Sequence, residues 1–260
     1  MMDHSFVVPA YGRSPHLAEC LASLRSQSVR SPIILASSTP FDGLGAIAEA
    51  HGARLVLHEP NRGIGSDWNA AMDAAETDWV TVAHQDDIYL PDFAAEVAAA
   101  IASSPTASLV FTDYAELYDG QLRITPMLRI KKVLLEFGFL GRPRISQTGP
   151  KKRLLRFGCP IPCPAVTLNR TASRLRFDEQ LKVDLDWDAW IRMADQGGSF
   201  CYVRKVLMHH RIHDESETTA GIRAGVRADE DLRMFQSLWP RPLARLLARA
   251  YSMSYTEGGA

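Results

Sequence analysis

Along the first half of the chain, short apolar runs alternate with stretches in which apolar residues recur at helical spacing. Ser5 to Val8 is a β-branched and aromatic run closed by Pro9, which predicts a strand. Ser14-Pro15 follows as an N-cap with proline at the first helical position. Leu17, Cys20, Leu21 and Leu24 then recur at i, i+3, i+4 and i+7, the period of one buried helix face. Ile33-Ile34-Leu35 is apolar throughout, as in a strand covered on both sides. Leu44 to Ala50 reads as a helix ending at Gly52, Arg54 to Leu57 as a strand, Gly65 to Ala75 as a helix and Trp79 to Ala83 as a fourth strand. Such alternation with short connections predicts an α/β fold, a mostly parallel central sheet with helices on both faces. Ligands of such a sheet bind beyond the carboxyl ends of its strands, so Pro9 to Arg13, Ala36 to Thr39 and His84 to Asp87 should converge.

A helix from Phe93 to Ala102 and a strand from Leu109 to Thr112 extend the pattern, after which the alternation stops. Residues 129–156 include Lys131, Lys132, Arg142, Arg144, Lys151 and Lys152, with Glu136 as their only acid and several Gly and Pro, a composition expected of a mobile basic loop or lid. Then come an apolar run at Ala165 to Leu168, a helix from about Asp186 to Asp195 closed by Gly197-Gly198, a strand from Phe200 to Met208, and helical C-terminal segments. No internal repeat or domain linker is evident. The expected organisation is one domain over 1–225, with halves at 1–115 and 116–225, followed by a helical tail at 226–260. Within that tail Arg241, Arg245 and Arg249 lie at i, i+4 and i+8 beside Leu243, Leu246 and Leu247. This basic amphipathic helix suits packing on the domain surface or peripheral contact with an anionic membrane face.

Composition narrows the classes. The chain has 260 residues, 46% of them hydrophobic, enough to bury a full core. Its 29 Lys and Arg against 30 Asp and Glu give a formal charge of -1, so no attraction of the whole molecule to polyanions arises and no nucleic-acid partner is expected. No stretch approaches the roughly 18 to 20 unbroken apolar residues of a membrane span. The opening MMDHSFVVPAYG lacks a targeting pattern, and Cys20, Cys159, Cys163 and Cys201 are too scattered for a disulfide framework. A cytoplasmic protein is expected, free or peripheral on the inner face of the membrane.

Four constellations could carry chemistry. His84-Gln85-Asp86-Asp87 follows a strand, where adjacent carboxylates suit a hard divalent cation, Mn²⁺ or Mg²⁺, or simply cap a turn. Asp184-Leu185-Asp186-Trp187-Asp188 enters a helix. The helix dipole explains one of these acids, and Asp186, set against Trp187 and Trp190, is placed to act as a general base. In His209-His210-Arg211-Ile212-His213, strand alternation puts His209, Arg211 and His213 on one side, with His213 a candidate metal ligand. Cys159-Pro160-Ile161-Pro162-Cys163 lacks the second cysteine pair of a zinc site and reads better as a rigid cleft wall. Gly63-Ile64-Gly65 lacks the third glycine of a dinucleotide fingerprint, which argues against NAD.

Taken in order, these segments resemble glycosyltransferase family 2. Val7-Val8-Pro9-Ala10-Tyr11 resembles its opening strand and turn. Asn61, Gly63 and Asn69 resemble the loop and helix before its metal motif. His84-Gln85-Asp86-Asp87 is similar to its D-x-D-D signature, Leu185-Asp186-Trp187-Asp188-Ala189-Trp190 to its E-D-W-D-x-W segment, and Arg211-Ile212-His213 with Ser216 to its late R-x-H segment. The resemblance spans about residues 5 to 218. It implies a GT-A fold with a Rossmann-like sheet, and inverting transfer of a sugar from a nucleotide-diphosphate sugar to an acceptor hydroxyl in surface polysaccharide or lipid-linked oligosaccharide assembly. By that resemblance Asp186 is the base, and Asp86, Asp87 and His213 hold Mn²⁺ or Mg²⁺. Pro9, Ala10, Tyr11, Ser37, Arg62, Asn69, His84, Gln85 and Asp86 face the donor, and Cys163, Trp187 and Arg211 the acceptor, a glycan or lipid-linked molecule. Two departures stand out: Leu35-Ala36-Ser37-Ser38-Thr39 lacks the acid that contacts the base in many members, and His84 replaces the first acid of the metal motif. A metal-dependent nucleotidyltransferase and a non-catalytic nucleotide-sugar or glycan-binding module are the alternatives.

Overall fold

Strand β1 (His4–Ala10) lies at the heart of the molecule because nearly every one of its residues is buried, which only a strand covered on both faces achieves. It pairs in parallel with β2 (Ile33–Ser37) on one side and β4 (Trp79–Val82) on the other, and β2 pairs in parallel with β3 (Arg54–Leu57). Helices α1 (Leu17–Arg25), α2 (Leu44–Ala50) and α3 (Ile64–Asp73) make the crossovers. The computed structural model describes residues 3–213, 221 and 225–253; Ser216 of the sequence reading lies outside them.

After β5 (Ile88–Tyr89), α4 (Phe93–Ser103), β6 (Ala107–Tyr118) and β7 (Gln121–Arg123) comes α5 (Pro126–Phe139), then β8 (Arg144–Ile145) and α6 (Thr148–Leu155). A one-turn 3₁₀ segment, Cys163–Ala165, leads into β9 (Val166–Asn169). The chain continues through α7 (Arg170–Ser173), α8 (Leu185–Ala194), β10 (Ser199–Arg211), α9 (Val226–Leu238) and α10 (Arg241–Ser252). The sheet runs β3-β2-β1-β4-β9-β6-β10-β5, with β7 beside β6 and β8 beside β10. Strand β9 is antiparallel to both β4 and β6, whereas β6 and β10 are parallel, and β5, β7 and β8 add to that second half as antiparallel strands.

Alternation along β1 divides the core. Val7, Ile34, Val80 and Val82 join Trp68, Met72, Trp187 and Trp190 on one face, whereas Phe6, Val8 and Leu35 join Leu21, Leu24, Tyr89 and Phe93 on the other. Strand order reverses beside β1, since β2 and β3 lie to one side and β4 to the other. A ligand crevice forms at such a point, outside the carboxyl ends of β1 and β4.

Two expectations are corrected. Residues 129–156 are not a loop: they contain most of α5 and all of α6. Thr125 caps α5, its side chain accepting from the Leu128 N–H at 3.2 Å with Pro126 in the first turn, and Leu128, Leu135 and Phe139 are buried beneath the helix. Helix α1 starts at Leu17 rather than at Pro15, with His16 as its N-cap. The tail helices pack on α8: Phe235 of α9 lies 5.1 Å from Trp187 edge-on, and Tyr251 of α10 lies 5.8 Å from the same ring. Among the described residues, no helix is long and apolar enough to cross a membrane.

Candidate active site

The loop after β4 is tied to the loop after β1 by a reciprocal pair of hydrogen bonds. Tyr11 N–H donates to Gln85 Oε1 at 3.2 Å, and Gln85 Nε2 donates to the Tyr11 carbonyl at 3.1 Å. Tyr11 itself is 57% exposed at the mouth of the crevice. One residue on, His213 Nε2 donates to Asp86 Oδ2 at 2.7 Å. Burial alone would raise the Asp86 pKa, but the His213 hydrogen bond and the surrounding His84, His210 and His213 imidazoles outweigh it and hold the group at about 2.

Asp87 has a different task. It is fully buried, with Oδ1 accepting from His210 Nδ1 at 3.0 Å and from the Arg211 N–H at 2.8 Å. Burial disfavours the His210 imidazolium, yet the charge and hydrogen bond of Asp87 prevail and raise its pKa to about 9. Arg211 extends the brace: its Nε donates to the Asp86 carbonyl at 2.8 Å and Nη2 to Glu19 at 2.6 Å. The end of β10 therefore clamps the acidic loop from both sides, with Arg211 as part of the clamp.

His84, Asp86 and Asp87 offer ligand atoms within 4.8 Å of one another. His84 packs on Trp68 with ring centroids 4.9 Å apart, burial lowers its pKa, and its Nε2 has no hydrogen-bond partner among the described residues. A neutral imidazole nitrogen without a partner, set beside an ionised carboxylate, is a donor set that fits a divalent cation.

Asp186 sits in the first turn of α8. Its Oδ1 accepts from the Trp187 N–H at 2.6 Å and its Oδ2 from the Cys163 N–H at 3.2 Å. Burial raises its pKa, while those two N–H groups and the Lys131 charge pull the other way. The 3₁₀ segment carrying Cys163 also fixes the distance to the acidic loop, because Tyr89 OH, two residues beyond Asp87, donates to the Pro164 carbonyl at 2.7 Å. Asp186 and the acidic loop are thus joined through Cys163-Pro164 and Tyr89.

The segment before α8 is held by Glu230 of α9, whose carboxylate accepts from the N–H groups of Lys182, Val183 and Asp184 at 2.8, 2.9 and 3.0 Å. Beside it, Asp184 and Asp231 share the interior. Burial raises both carboxyls, helped at Asp184 by the Asp231 charge and at Asp231 by the Glu230 charge, so the pair keeps a proton above the usual carboxylate range. No motif marked Glu230 or Asp231, and their only signal was an acidic run, Asp229-Glu230-Asp231, on an otherwise ordinary helix.

Several other expected contacts are spent on structure. Asn69 is buried and braces Phe177, accepting from its N–H at 2.9 Å and donating to its carbonyl at 3.0 Å, so it offers a donor no free polar atom. Ser37 Oγ donates to the Ala10 carbonyl at 2.8 Å and accepts from the Thr39 N–H at 3.2 Å. Trp187 is wholly buried with Nε1 on the Leu155 carbonyl at 3.0 Å, and Cys163 presents only its backbone N–H. Pro9 and Ala10 end β1 beside the crevice, and Arg62 is exposed on the approach to α3. An acid unnoticed in the sequence does reach the end of β2: buried Asp67 of α3 accepts from Ser38 Oγ at 3.0 Å.

The family model of glycosyl transferase family 2 matches residues 5–171, more than half of the chain. The chain belongs to glycosyl transferase family 2. Among curated proteins none is significantly similar in sequence. Among solved structures, residues 1–349 of S. aureus TarS align with a TM-score of 0.64 at 15% identity, over 92% of this chain and 71% of that one. The longer S. aureus TarS structure gives 0.60 at 17%, over 89% of this chain and 40% of that one. The mannosyltransferase PcManGT from Pyrobaculum calidifontis, in complex with GDP-Man and Mn²⁺, gives 0.64 at 15%, over 99% of this chain and 76% of that one. At such identities the likeness is one of fold. The mixed sheet flanked by helices is the GT-A architecture of the family 2 enzymes.

Proposed function

We propose that this family 2 protein transfers a sugar from a nucleotide-diphosphate sugar to an acceptor hydroxyl with inversion at the anomeric carbon. The observation that carries the reading is Asp186: a half-buried carboxylate with a raised pKa, held by two backbone N–H groups and linked through Cys163-Pro164 and Tyr89 to the Asp86 loop. Tyr11, Gln85 and His84 line the donor side of the crevice. S. aureus TarS in complex with UDP-GlcNAc and PcManGT with GDP-Man and Mn²⁺ have the same architecture, which supports a donor of this class.

The chemistry follows from placement. Asp186 takes the proton of the acceptor hydroxyl as its oxygen attacks the anomeric carbon, and the bond to the diphosphate breaks on the opposite side, its electron pair leaving on the phosphate oxygen. Asp86, His213 and His84 would hold Mn²⁺ or Mg²⁺, which supplies charge neutralisation to the leaving diphosphate. Asp87, tied to His210 and Arg211, keeps Asp86 in place.

Incubating the protein with UDP-, GDP- and dTDP-sugars and assaying released nucleoside diphosphate tests this reading. Asp186→Asn keeps an oxygen to accept from backbone N–H, so the fold and donor affinity should persist while turnover falls by about 10²-fold to 10⁴-fold. Absence of nucleotide release by the wild-type protein with every donor, or an unchanged rate in the variant, would overturn it.

A further inference from the structure

Helix α5 has apolar residues on two faces. Leu128, Leu135 and Phe139 point into the core, whereas Ile130, Val133 and Phe137 stand outward at 54%, 67% and 65% exposure. These outward residues lie three and four apart, so they form a stripe along one side of the helix. Soluble proteins rarely leave so continuous an apolar strip uncovered. Beside α5 runs α10, whose Leu246 is also exposed. Between the two helices lies a cavity of about 290 Å³ lined by Ile130, Leu134, Cys159, Leu247 and Tyr251.

Charge identifies what covers this face. Helix α10 carries arginines and no acid, Arg245 and Arg249 are exposed beside Leu246, and Arg129 flanks Ile130. The one acid on α5, Glu136, is already paired with Arg204 at 2.7 Å. A second copy of the chain would bring like charges together, whereas apolar side chains set among arginines match an anionic lipid surface.

The cavity adds direction. Tyr251 on its wall packs against Trp187, the neighbour of Asp186, and its ring closes over Gly158, where a Cβ would come within 2.8 Å of it. Lys131, another wall residue, acts electrostatically on Asp186. Hydrocarbon entering from the surface would therefore end close to the base. We infer that the outward face of α5, together with α10, seats on an anionic lipid membrane, and that the cavity between them takes the hydrocarbon of a lipid-borne acceptor. The second clause rests on the transferase reading, and the first does not.

The test is cosedimentation of the full chain with vesicles of phosphatidylcholine alone and of phosphatidylcholine with phosphatidylglycerol. Binding is expected only to the anionic vesicles, and should be lost near 1 M salt, where the screening length falls to about 3 Å. Val133→Ser with Phe137→Ser should weaken it by about tenfold or more, as should Arg245→Glu with Arg249→Glu. All four side chains are exposed, so unchanged melting temperatures certify the fold of both variants. For the cavity, cis-parinaric acid serves as a hydrocarbon probe whose fluorescence should rise on binding, and Leu134→Trp, which fills the space, should abolish that rise. Thermal shifts with nucleoside diphosphates in the same preparations report the donor site alone, so a failed transferase reading is told apart from a failed docking face. Equal binding to both vesicle types, no binding, or a dimer in sedimentation velocity that the Val133/Phe137 variant dissolves would overturn the membrane assignment. A probe signal unaffected by Leu134→Trp, or none at all, would overturn the assignment of the cavity.

Discussion

Asp86 and Asp87 are adjacent in sequence and differ in role because of what the end of β10 brings to each. Asp86 meets His213 at the crevice, and Asp87 meets His210 and the Arg211 N–H in the interior. The buried Asp87–His210 pair makes a pH prediction. The His210 pKa is raised from 6.5 to about 9 on folding, so its stabilisation is complete below pH 6.5 and is lost as the pH rises through 9. With 28% of that side chain exposed, the loss is on the order of 2 kcal/mol. Asp184 and Asp231 titrate in the same sense, so the readout is a difference: urea unfolding from pH 6 to pH 9 should show a shallower decline for His210→Asn than for the wild type. Equal slopes would refute the pairing.

At the scale of elements, α8 is positioned by its neighbours more than by its own caps. Asp184 at its N-cap makes no side-chain capping bond, and Glu230 of α9 instead collects three successive N–H groups ahead of the helix. Glu230→Ala strands those donors in a buried setting and should cost about 3 kcal/mol or more, read as a lower urea midpoint at unchanged m. A midpoint within error of the wild type would show that water replaces the carboxylate without loss.

The strands and helices of the first half were legible because their apolar periods are unmixed: Leu44 to Ala50 and Arg54 to Leu57 appear as read. Helix α5 was hidden because apolar residues on two faces blur its period and Gly and Pro flank it. The clamp on Asp87 was hidden for a different reason. It pairs one side chain, His210, and one backbone N–H, that of Arg211, with a carboxylate more than 120 residues away, which side-chain alternation along β10 does not reveal. The positions of Asp86, Asp186 and His213 were readable from motif order, while the engagement of Asn69, Ser37 and Trp187 in structural hydrogen bonds was not, since it depends on partners over 25 residues away in the chain.

For the molecule as a whole, β9 runs against both of its neighbours and joins the parallel strands β3-β2-β1-β4 to the half of the sheet built on β6 and β10. The 3₁₀ turn at the start of β9 ties Asp186 to the acidic loop. Under the proposed function, donor and acceptor meet at the crevice beside Asp86 and Asp186. The central claim is that Asp86 and His213 recruit a divalent cation to a nucleoside diphosphate at that crevice. Isothermal titration calorimetry of UDP and GDP, with and without Mn²⁺, on the wild type and on Asp86→Ala tests it most directly. One nucleotide should bind about tenfold or more tightly with Mn²⁺, and the gain should vanish in Asp86→Ala. Affinity that is indifferent to Mn²⁺, or a metal effect that survives Asp86→Ala, would contradict it.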